Sequence, residues 1–266
     1  MRRGRFAALL GAVLLAGCGG QAAERVDPAD HDAFFLWAGV KPHAALARAK
    51  TVYLLSGEVQ AGDNARLVPL RPGTPHVRHA EIWMTVRVER LDWREGVYRR
   101  IFTDLARWQA AGNRLAGLQV DFDARTRGLA DYARFLADLR RRLPERYRLS
   151  VTGLLDWSAQ GDPAALGKLA GIVDEAVIQT YQGRRTIPGY ERYMASLRRL
   201  PLPYRVGLVE GGEWREPQGL TDDPEFRGYV VFLLPERQTG FQPFSTSTAA
   251  PGRKQISGMR RSVARR

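Results

Sequence analysis

The sequence of 266 residues contains one cysteine, Cys18, and only four histidines. A single cysteine excludes an internal disulfide, so the fold has to be stabilised by its hydrophobic core. The histidines, at positions 31, 43, 76 and 79, lie outside the ends of the strands predicted below and form no cluster with cysteine. These absences argue against a zinc site, a Ser-His pair and a nucleophilic cysteine. We expect no metal, with a cation site made of Asp and Glu side chains as the alternative.

A nucleotide-binding motif is also missing, because no Gly-x-Gly-x-x-Gly stretch follows an early predicted strand. We therefore expect no cofactor. Residues 30–235 contain no repeated interval and no linker-like segment, which favours one large domain.

The beginning of the chain has the features of a bacterial export signal. A basic start, Met1–Arg5, precedes an apolar run from Phe6 to Leu15 that is too short to span a bilayer as a mature helix. Leu-Ala-Gly then precedes Cys18, and this pattern resembles the lipobox of bacterial lipoproteins, whose cysteine is lipidated. We expect a lipid anchor at Cys18, and because Gly19 is not a retention aspartate, a location on the outer membrane facing the periplasm. A soluble secreted protein with an incidental cysteine is the alternative.

Most of the formal net charge of +13 lies outside the predicted fold. Three arginines belong to residues 1–17, and residues 236–266 carry seven Lys or Arg against one Glu, which leaves 31 basic and 27 acidic groups in residues 18–235. The basic end is rich in Ser, Thr, Gly and Pro, which is typical of a disordered tail. An exported protein has little access to nucleic acid, so we expect no nucleic-acid partner despite the charge.

Apolar alternation and helical periodicity predict eight strands separated by helices. The strands are expected over residues 33–40, 51–59, 80–91, 115–124, 147–154, 175–181, 204–209 and 228–234, and the helices over 42–49, 98–111, 129–143, 162–170 and 190–200. This alternation predicts a single (β/α)8 barrel, with an open doubly wound sheet as the alternative. The predicted organisation is a signal peptide over residues 1–17, a tether over 18–32, the barrel over 33–235 and the tail over 236–266.

The stretch Leu115–Ala124 is the most informative part of the sequence. Read as a strand, it places Leu118, Val120 and Phe122 on one face, and Gln119, Asp121 and Asp123 on the other. Helices are predicted on both sides of this strand, which indicates a parallel sheet covered on both faces. Three neighbouring polar groups would then face the interior, so they are candidates for a binding or catalytic site. A solvated edge strand or a structural polar network would give the same pattern.

The carboxyl ends of barrel strands are where such folds place their working groups. Carboxylates outnumber bases at the predicted strand ends, and tryptophans lie in or just after several strands. Paired carboxylates surrounded by aromatic rings are what glycoside hydrolysis requires, since one group protonates the leaving oxygen and another acts on the anomeric carbon. We therefore expect a polysaccharide or cell-wall glycan as the partner. The tryptophans considered are Trp37, Trp83, Trp93, Trp157 and Trp214.

Several motifs together resemble a bacterial family known as domain of unknown function 3142. They are Phe-Phe-Leu-Trp-Ala-Gly from Phe34, Leu-Gln-Val-Asp-Phe-Asp-Ala from Leu118, Leu-Ser-Val-Thr-Gly-Leu-Leu-Asp-Trp from Leu149, Ile-Gln-Thr-Tyr-Gln-Gly from Ile178 and Gly-Leu-Val-Glu-Gly-Gly from Gly207. The barrel of that family in turn resembles chitinase-like glycoside hydrolases. Their fourth strand reads Asp-Gly-x-Asp-x-Asp-x-Glu, and their sixth strand ends Met-x-Tyr-Asp.

On that pattern, Gly117 matches the glycine, Gln119 falls on an aspartate, Asp121 on the next aspartate and Asp123 on the catalytic glutamate. The sixth-strand motif falls on Gln179 to Gln182, which keeps Tyr181 and loses the aspartate. An aspartate in place of glutamate retracts the carboxyl by one methylene, and a misplacement of about 1 Å can lower a rate about 100-fold.

The resulting hypothesis is a glycoside hydrolase with four catalytic residues. Asp123 is the general acid, Asp121 tunes it, Glu210 is base or nucleophile, and Tyr181 supports the transition state. Substrate-binding roles are predicted for Gln119, Arg87, Trp157, Gln179, Gln182, Trp37 and Glu58. The alternative is a non-catalytic lipoprotein that binds glycans or other components of the cell envelope.

Overall fold

A computed structural model describes residues 23–37, 40 and 43–235. The predicted signal peptide, Cys18 and the predicted basic tail lie outside these residues. Within the described part of the chain, no helix is both long enough and apolar enough to cross a membrane.

Eight parallel strands organise the fold: β1 Ala33–Leu36, β2 Thr51–Val59, β3 Glu81–Val88, β4 Arg114–Asp121, β5 Arg148–Leu154, β6 Glu175–Gln179, β7 Tyr204–Val209 and β8 Phe226–Phe232. Each strand pairs with its neighbour in chain order, and β1 pairs with both β2 and β8. The sheet therefore closes on itself. The predicted (β/α)8 barrel is confirmed, and the open doubly wound sheet is excluded.

The helices on the outside are α1 Glu95–Ala110, α2 Leu129–Arg142, α3 Trp157–Gln160, α4 Pro163–Ala170 and α5 Glu191–Leu197. Helix α4 begins as predicted, because the Asp162 side chain accepts a hydrogen bond from the backbone N–H of Ala164 and Pro163 opens the helix. The helix predicted over residues 42–49 is instead a short 3-10 helix, Ala44–Arg48.

Buried side chains form one layer inside the barrel and another between the sheet and its helices. Leu118 and Val120 of β4 belong to the outer layer and have no exposed surface. Phe35 and Trp83 belong to the inner layer. Alternation along β4 therefore directs Gln119 into the barrel, as predicted, whereas Asp123 of the predicted inward face lies beyond the end of β4 and is exposed.

Several predicted boundaries differ from the structure; β3, for example, ends at Val88 instead of residue 91. Strand β4 ends at Asp121, and the Ala124 N–H donates to the Phe122 carbonyl at 2.7 Å, so a tight turn replaces the last residues of the predicted strand. Part of the predicted tether is built into the fold, because Glu24–Arg25 pairs with Glu213–Trp214 and Val26 is buried. Burial removes the apolar Val26 side chain from water, and this favours packing of the segment against the fold.

Candidate functional site

A chain of buried polar side chains crosses the interior of the barrel below its mouth, the end formed by the carboxyl ends of the strands. The Thr85 hydroxyl donates to Gln119 Oε1 at 3.0 Å, and Gln119 Nε2 donates to the Ser150 hydroxyl at 3.2 Å. Ser150 continues the chain to Glu175, whose carboxylate also accepts from Tyr53 and from Arg205. Buried polar groups need such partners, and a fully bonded network fixes the positions of its members.

The predicted role of Gln119 in binding substrate does not fit this position. Its side chain has no exposed surface, and both ends of its amide are bonded to neighbouring strands. A group without accessible surface cannot contact a ligand here. Gln119 instead supports β4 from below, one step of the side-chain alternation beneath Asp121.

Asp121 ends β4 and lies partly buried at the mouth, opposite Arg87 in the pairing of β4 with β3. The Thr152 hydroxyl donates to its Oδ1 at 2.9 Å. Burial raises the pKa of Asp121 to about 6, the negative charge of Asp123 acts in the same direction, and the Thr152 hydrogen bond and the Arg87 charge oppose the shift. A carboxyl with this pKa can donate or accept a proton near neutral pH.

Asp123 lies two residues further on, in the turn that follows β4, and its side chain is exposed. A hydrogen bond from the core holds this turn, because the buried Trp157 indole N–H donates to the Ala124 carbonyl at 2.8 Å. The sequence gave the acid role to Asp123, with Asp121 as the neighbour that tunes it. The group whose pKa is raised to about 6 is Asp121.

Trp157 was predicted to bind substrate, and its position rules this out in the described structure. The indole has no exposed surface and packs edge-on against Tyr132, with ring centroids 6.2 Å apart. It begins helix α3 instead of ending a strand. Trp83 and Trp93 are likewise buried in the core, so most of the predicted tryptophan platform is packing.

Replacing Trp157 with Ala is expected to lower the free energy of unfolding by about 3–5 kcal/mol, because it leaves a large cavity and frees the Ala124 carbonyl. Chemical denaturation measures this loss. Trp37→Ala, at the half-buried mouth, is the matched control and should cost clearly less. Equal losses for the two variants would contradict the assignment of Trp157 to the core.

Three aromatic side chains form an arc at the mouth: Tyr181, Phe232 and Trp37. Tyr181 stacks on Phe232 with centroids 5.4 Å apart, and Trp37 meets Phe232 edge-on at 5.7 Å. The Arg87 guanidinium lies 5.1 Å from the centroid of the Trp37 ring. Burial raises the pKa of Tyr181, and the charge of Asp121 raises it further, which places its hydroxyl in the field of the carboxylates as a neutral donor.

The remaining predicted binding residues lie around this arc at different depths. Gln179 is half-buried at the end of β6. Its side chain hydrogen-bonds to the Tyr181 hydroxyl, which partly offsets the rise in the pKa of Tyr181. Glu58 lies opposite Arg87 in the pairing of β2 with β3 and accepts from Gln60 Nε2 at 2.6 Å. Gln182 is exposed and pairs with Arg185 in a short hairpin after β6. Their roles in binding stay predictions.

Glu210 follows β7 and has partners of its own. Its Oε2 accepts from the Leu234 N–H at 2.8 Å, and its Oε1 lies 3.6 Å from His43 Nε2. Among the described residues, no hydrogen bond or ion pair joins Glu210 to either aspartate. Its role as base or nucleophile stays a prediction.

Sequence reasoning missed two residues of the mouth, Thr152 and Phe232. The signal for Thr152 was present, because it lies two residues before the end of β5 and on the same face as Ser150. Phe232 gave no signal beyond an ordinary apolar strand residue. Asp156 follows β5; burial raises its pKa, and its Oδ1 has no hydrogen-bond partner in the described part of the chain.

No set of three or more His, Cys, Asp or Glu side chains among the described residues is arranged to hold a metal ion. The groups at the mouth that can take part in acid–base chemistry are the carboxyls and the Tyr181 hydroxyl, with the Arg87 charge beside them.

Residues 75–191 match the model of a protein family described as domain of unknown function DUF3142. The match includes β3 to β6 and both aspartates, and it confirms the family resemblance that the sequence motifs indicated. No curated protein matches the chain.

Solved structures similar to this chain include the chitinase domain of the spore coat protein CotE from Clostridium difficile, at 14% identity and a TM-score of 0.46, over 75% of this chain and 68% of that chain. The Bacillus cereus spore cortex-lytic enzyme SleL gives 17% and 0.43, over 66% and 49%. The tamarind chitinase-like lectin gives 11% and 0.45, over 76% and 94%. These low identities and TM-scores do not indicate the chemistry of this chain.

Proposed function

We propose that the barrel cleaves a glycosidic bond, with Asp121 as the general acid. The observation that carries this proposal is the placement of Asp121 at the mouth, where the Thr152 hydroxyl donates to it at 2.9 Å and burial, with the charge of Asp123, raises its pKa to about 6. An acid catalyst needs a pKa near the working pH, because it must hold a proton in the ground state and release it in the transition state. This assignment exchanges the roles that the sequence gave to the two aspartates.

The other residues of the mouth have complementary tasks in this proposal. Protonated Asp121 gives its proton to the leaving glycosidic oxygen as the bond to the anomeric carbon breaks, and the negative charge of Asp123 stabilises the positive charge that develops there. A water molecule then bonds to the anomeric carbon and gives a proton back to the Asp121 carboxylate. The Tyr181 hydroxyl, kept neutral by its raised pKa, donates to an oxygen of the substrate. The aromatic arc supplies apolar faces on which sugar rings can stack.

Cleavage of oligosaccharides tests this proposal. The full chain is incubated with a panel of cell-wall, chitin and exopolysaccharide oligosaccharides between pH 4 and pH 8 (roughly the range that brackets the pKa of Asp121), and products are followed by mass spectrometry. We expect cleavage of at least one glycan, with a rate that falls as the pH rises above the pKa of Asp121. Activity that increases steadily to the alkaline end would contradict an acid role.

Replacing Thr152 with Val is expected to raise the pKa of Asp121 further. The Thr152 hydroxyl stabilises the ionised carboxylate at 2.9 Å, and valine keeps the shape of the side chain without the donor. The alkaline limb of the pH–rate profile should therefore move to higher pH. An unchanged profile would mean that the ionisation of Asp121 does not limit the rate.

The aromatic arc favours a second candidate function, glycan binding without cleavage. The arc offers apolar faces to sugar rings, with Tyr181 stacked on Phe232 and Trp37 beside Arg87. Binding to this surface does not require the carboxyls to react. Saturable binding with no product after long incubation would support this candidate. Trp37→Ala should then weaken binding, whereas Asp121→Asn should leave it largely intact.

We also propose that the chain is a lipoprotein of the cell envelope, anchored through Cys18 and located on the outer membrane where the cell has one. The support is the apolar run before Leu-Ala-Gly-Cys and the absence of aspartate at position 19. Cys18→Ser should accumulate as an unprocessed precursor without attached lipid. A variant that is processed and fractionates like the parent would contradict lipidation.

A further inference from the structure

A cavity of about 230 Å³ lies between the loop that follows β2 and helix α1, and none of its lining residues belongs to the mouth described above. Its ionisable lining consists of three arginines and one aspartate: Arg71, Arg100, Arg107 and Asp104. Ser56 and Thr74 add two hydroxyls. We call this cavity the arginine pocket. Three guanidinium groups against one carboxylate give its lining a net charge of +2.

Arg71 is the unusual member of the arginine pocket, because it is partly buried without an acidic partner. Its Nε donates to the Leu55 carbonyl at 2.7 Å, and its Nη2 donates to the Leu36 carbonyl at 3.0 Å. No carboxylate among the described residues forms an ion pair with it, and burial lowers its pKa with no acidic group opposing the shift. A buried cation without a counterion is costly, so Arg71 is a group that an anion would stabilise.

The two arginines of helix α1 share one carboxylate. Arg100 Nε lies 2.9 Å from one oxygen of Asp104, Arg107 contacts the other oxygen, and the Asp104 side chain is only 5% exposed. Asp104 is therefore fully occupied and neutralises one of the two positive charges. The other charge remains available to the cavity.

The hydroxyls of the lining are available as well. Ser56 is 7% exposed, and neither its hydroxyl nor that of Thr74 hydrogen-bonds to another group in the described part of the chain. A buried hydroxyl normally has a partner, so an open one that lines a cationic cavity is suited to donate to a ligand.

We propose that the arginine pocket binds a phosphate dianion, either free or as the monoester of a small sugar. Two negative charges balance the net charge of the lining, and guanidinium groups match the oxygens of phosphate in a bidentate manner. Hydroxyl donors from Ser56 and Thr74 complete the set of groups that a phosphate with several acceptor oxygens requires. This site is distinct from the proposed glycosidase and does not depend on it.

Calorimetric titration of the full chain tests the proposal. Inorganic phosphate, glucose 6-phosphate and neutral glucose are titrated separately near pH 8 (roughly where phosphate is a dianion), at low salt and in a buffer without oxyanions. We expect saturable binding of phosphate with one site per chain and none of glucose. Tighter binding of glucose 6-phosphate than of inorganic phosphate would identify a sugar monoester as the natural form.

Three variants locate the site. Arg71→Gln and Arg107→Gln should each weaken phosphate binding about tenfold or more, because each removes a charge-assisted contact. Arg66→Gln, in the same loop but 82% exposed and paired with Asp63, should bind like the parent. Arg107 is 54% exposed, so its variant keeps the fold even if Arg71→Gln loses stability with its two carbonyl contacts. Absence of phosphate binding, or equal binding by the parent and Arg107→Gln, would overturn the proposal.

Discussion

Replacing Asp121 with Asn is expected to lower the rate of glycan cleavage by about 10²–10⁴, the contribution that a general acid typically makes. Asparagine keeps the size of the side chain and can still accept from Thr152, but it has no proton to give to a leaving oxygen. Steady-state cleavage of the oligosaccharide identified for the parent measures the loss. Binding of the same oligosaccharide should change little, so the effect should fall on kcat.

Stability separates lost chemistry from lost folding in this variant. Burial raises the pKa of Asp121 to about 6, above its unfolded value of about 3.9, so the native state holds the proton over a pH window in which the unfolded chain has lost it. The free energy of unfolding therefore falls as the pH rises through this window. An asparagine side chain does not ionise and escapes this cost, so Asp121→Asn should melt at or above the parent temperature near pH 8 (roughly two units above the raised pKa) while being inactive. Full activity of Asp121→Asn would contradict the assignment.

Glu210→Gln tests the competing assignment made from the sequence. If Glu210 is base or nucleophile, this variant should lose as much activity as Asp121→Asn. If it only caps the end of β8 through the Leu234 N–H, glutamine can still accept that hydrogen bond and the loss should be small. The ratio of the two rates decides between these roles.

Replacing Gly117 with Ala is expected to prevent folding or to lower the free energy of unfolding by more than about 4 kcal/mol, which is an exceptional loss for one methyl group. A Cβ at this position would lie 1.9 Å from the Arg148 carbonyl oxygen. Both atoms belong to adjacent central strands, β4 and β5, so neither backbone can move without breaking the closed sheet. Circular dichroism and chemical denaturation measure the result.

Gly167→Ala is the matched control. Gly167 lies within helix α4, and a Cβ there would have no atom within 4 Å. Alanine has the higher helix propensity, so this variant should be neutral or slightly more stable than the parent. If Gly117→Ala folded as stably as Gly167→Ala, that result would contradict the close approach of the β4 and β5 backbones at Gly117.

The sequence predicted the barrel well because each strand carries its own signal. Eight apolar runs alternate with helical segments, and a parallel sheet of that kind closes through local pairings between consecutive strands. The inward direction of Gln119 and Asp121 also followed from period-two alternation, since the outer partners Leu118 and Val120 had to face the helices.

Depth within the site was not predictable in the same way. Gln119 and Asp121 have the same pattern in the sequence, but one step of alternation separates a fully buried amide from a carboxyl at the mouth. Trp157 looked like a strand-end platform, but a tight turn after β5 begins helix α3 there and carries the indole into the core. The end of β4 at Asp121 depends on the turn that Trp157 holds, a tertiary contact that no local pattern encodes.

The measurement that tests the central claim most directly is a titration of the Asp121 carboxyl by carbon-13 NMR in the full chain. The account predicts a pKa of about 6 for the parent, and a lower value in Asp123→Asn, because the negative charge that helps to raise it is removed. An Asp121 carboxyl that titrates near its ordinary value of about 3.9 and does not respond to the removal of Asp123 would contradict its role as the acid.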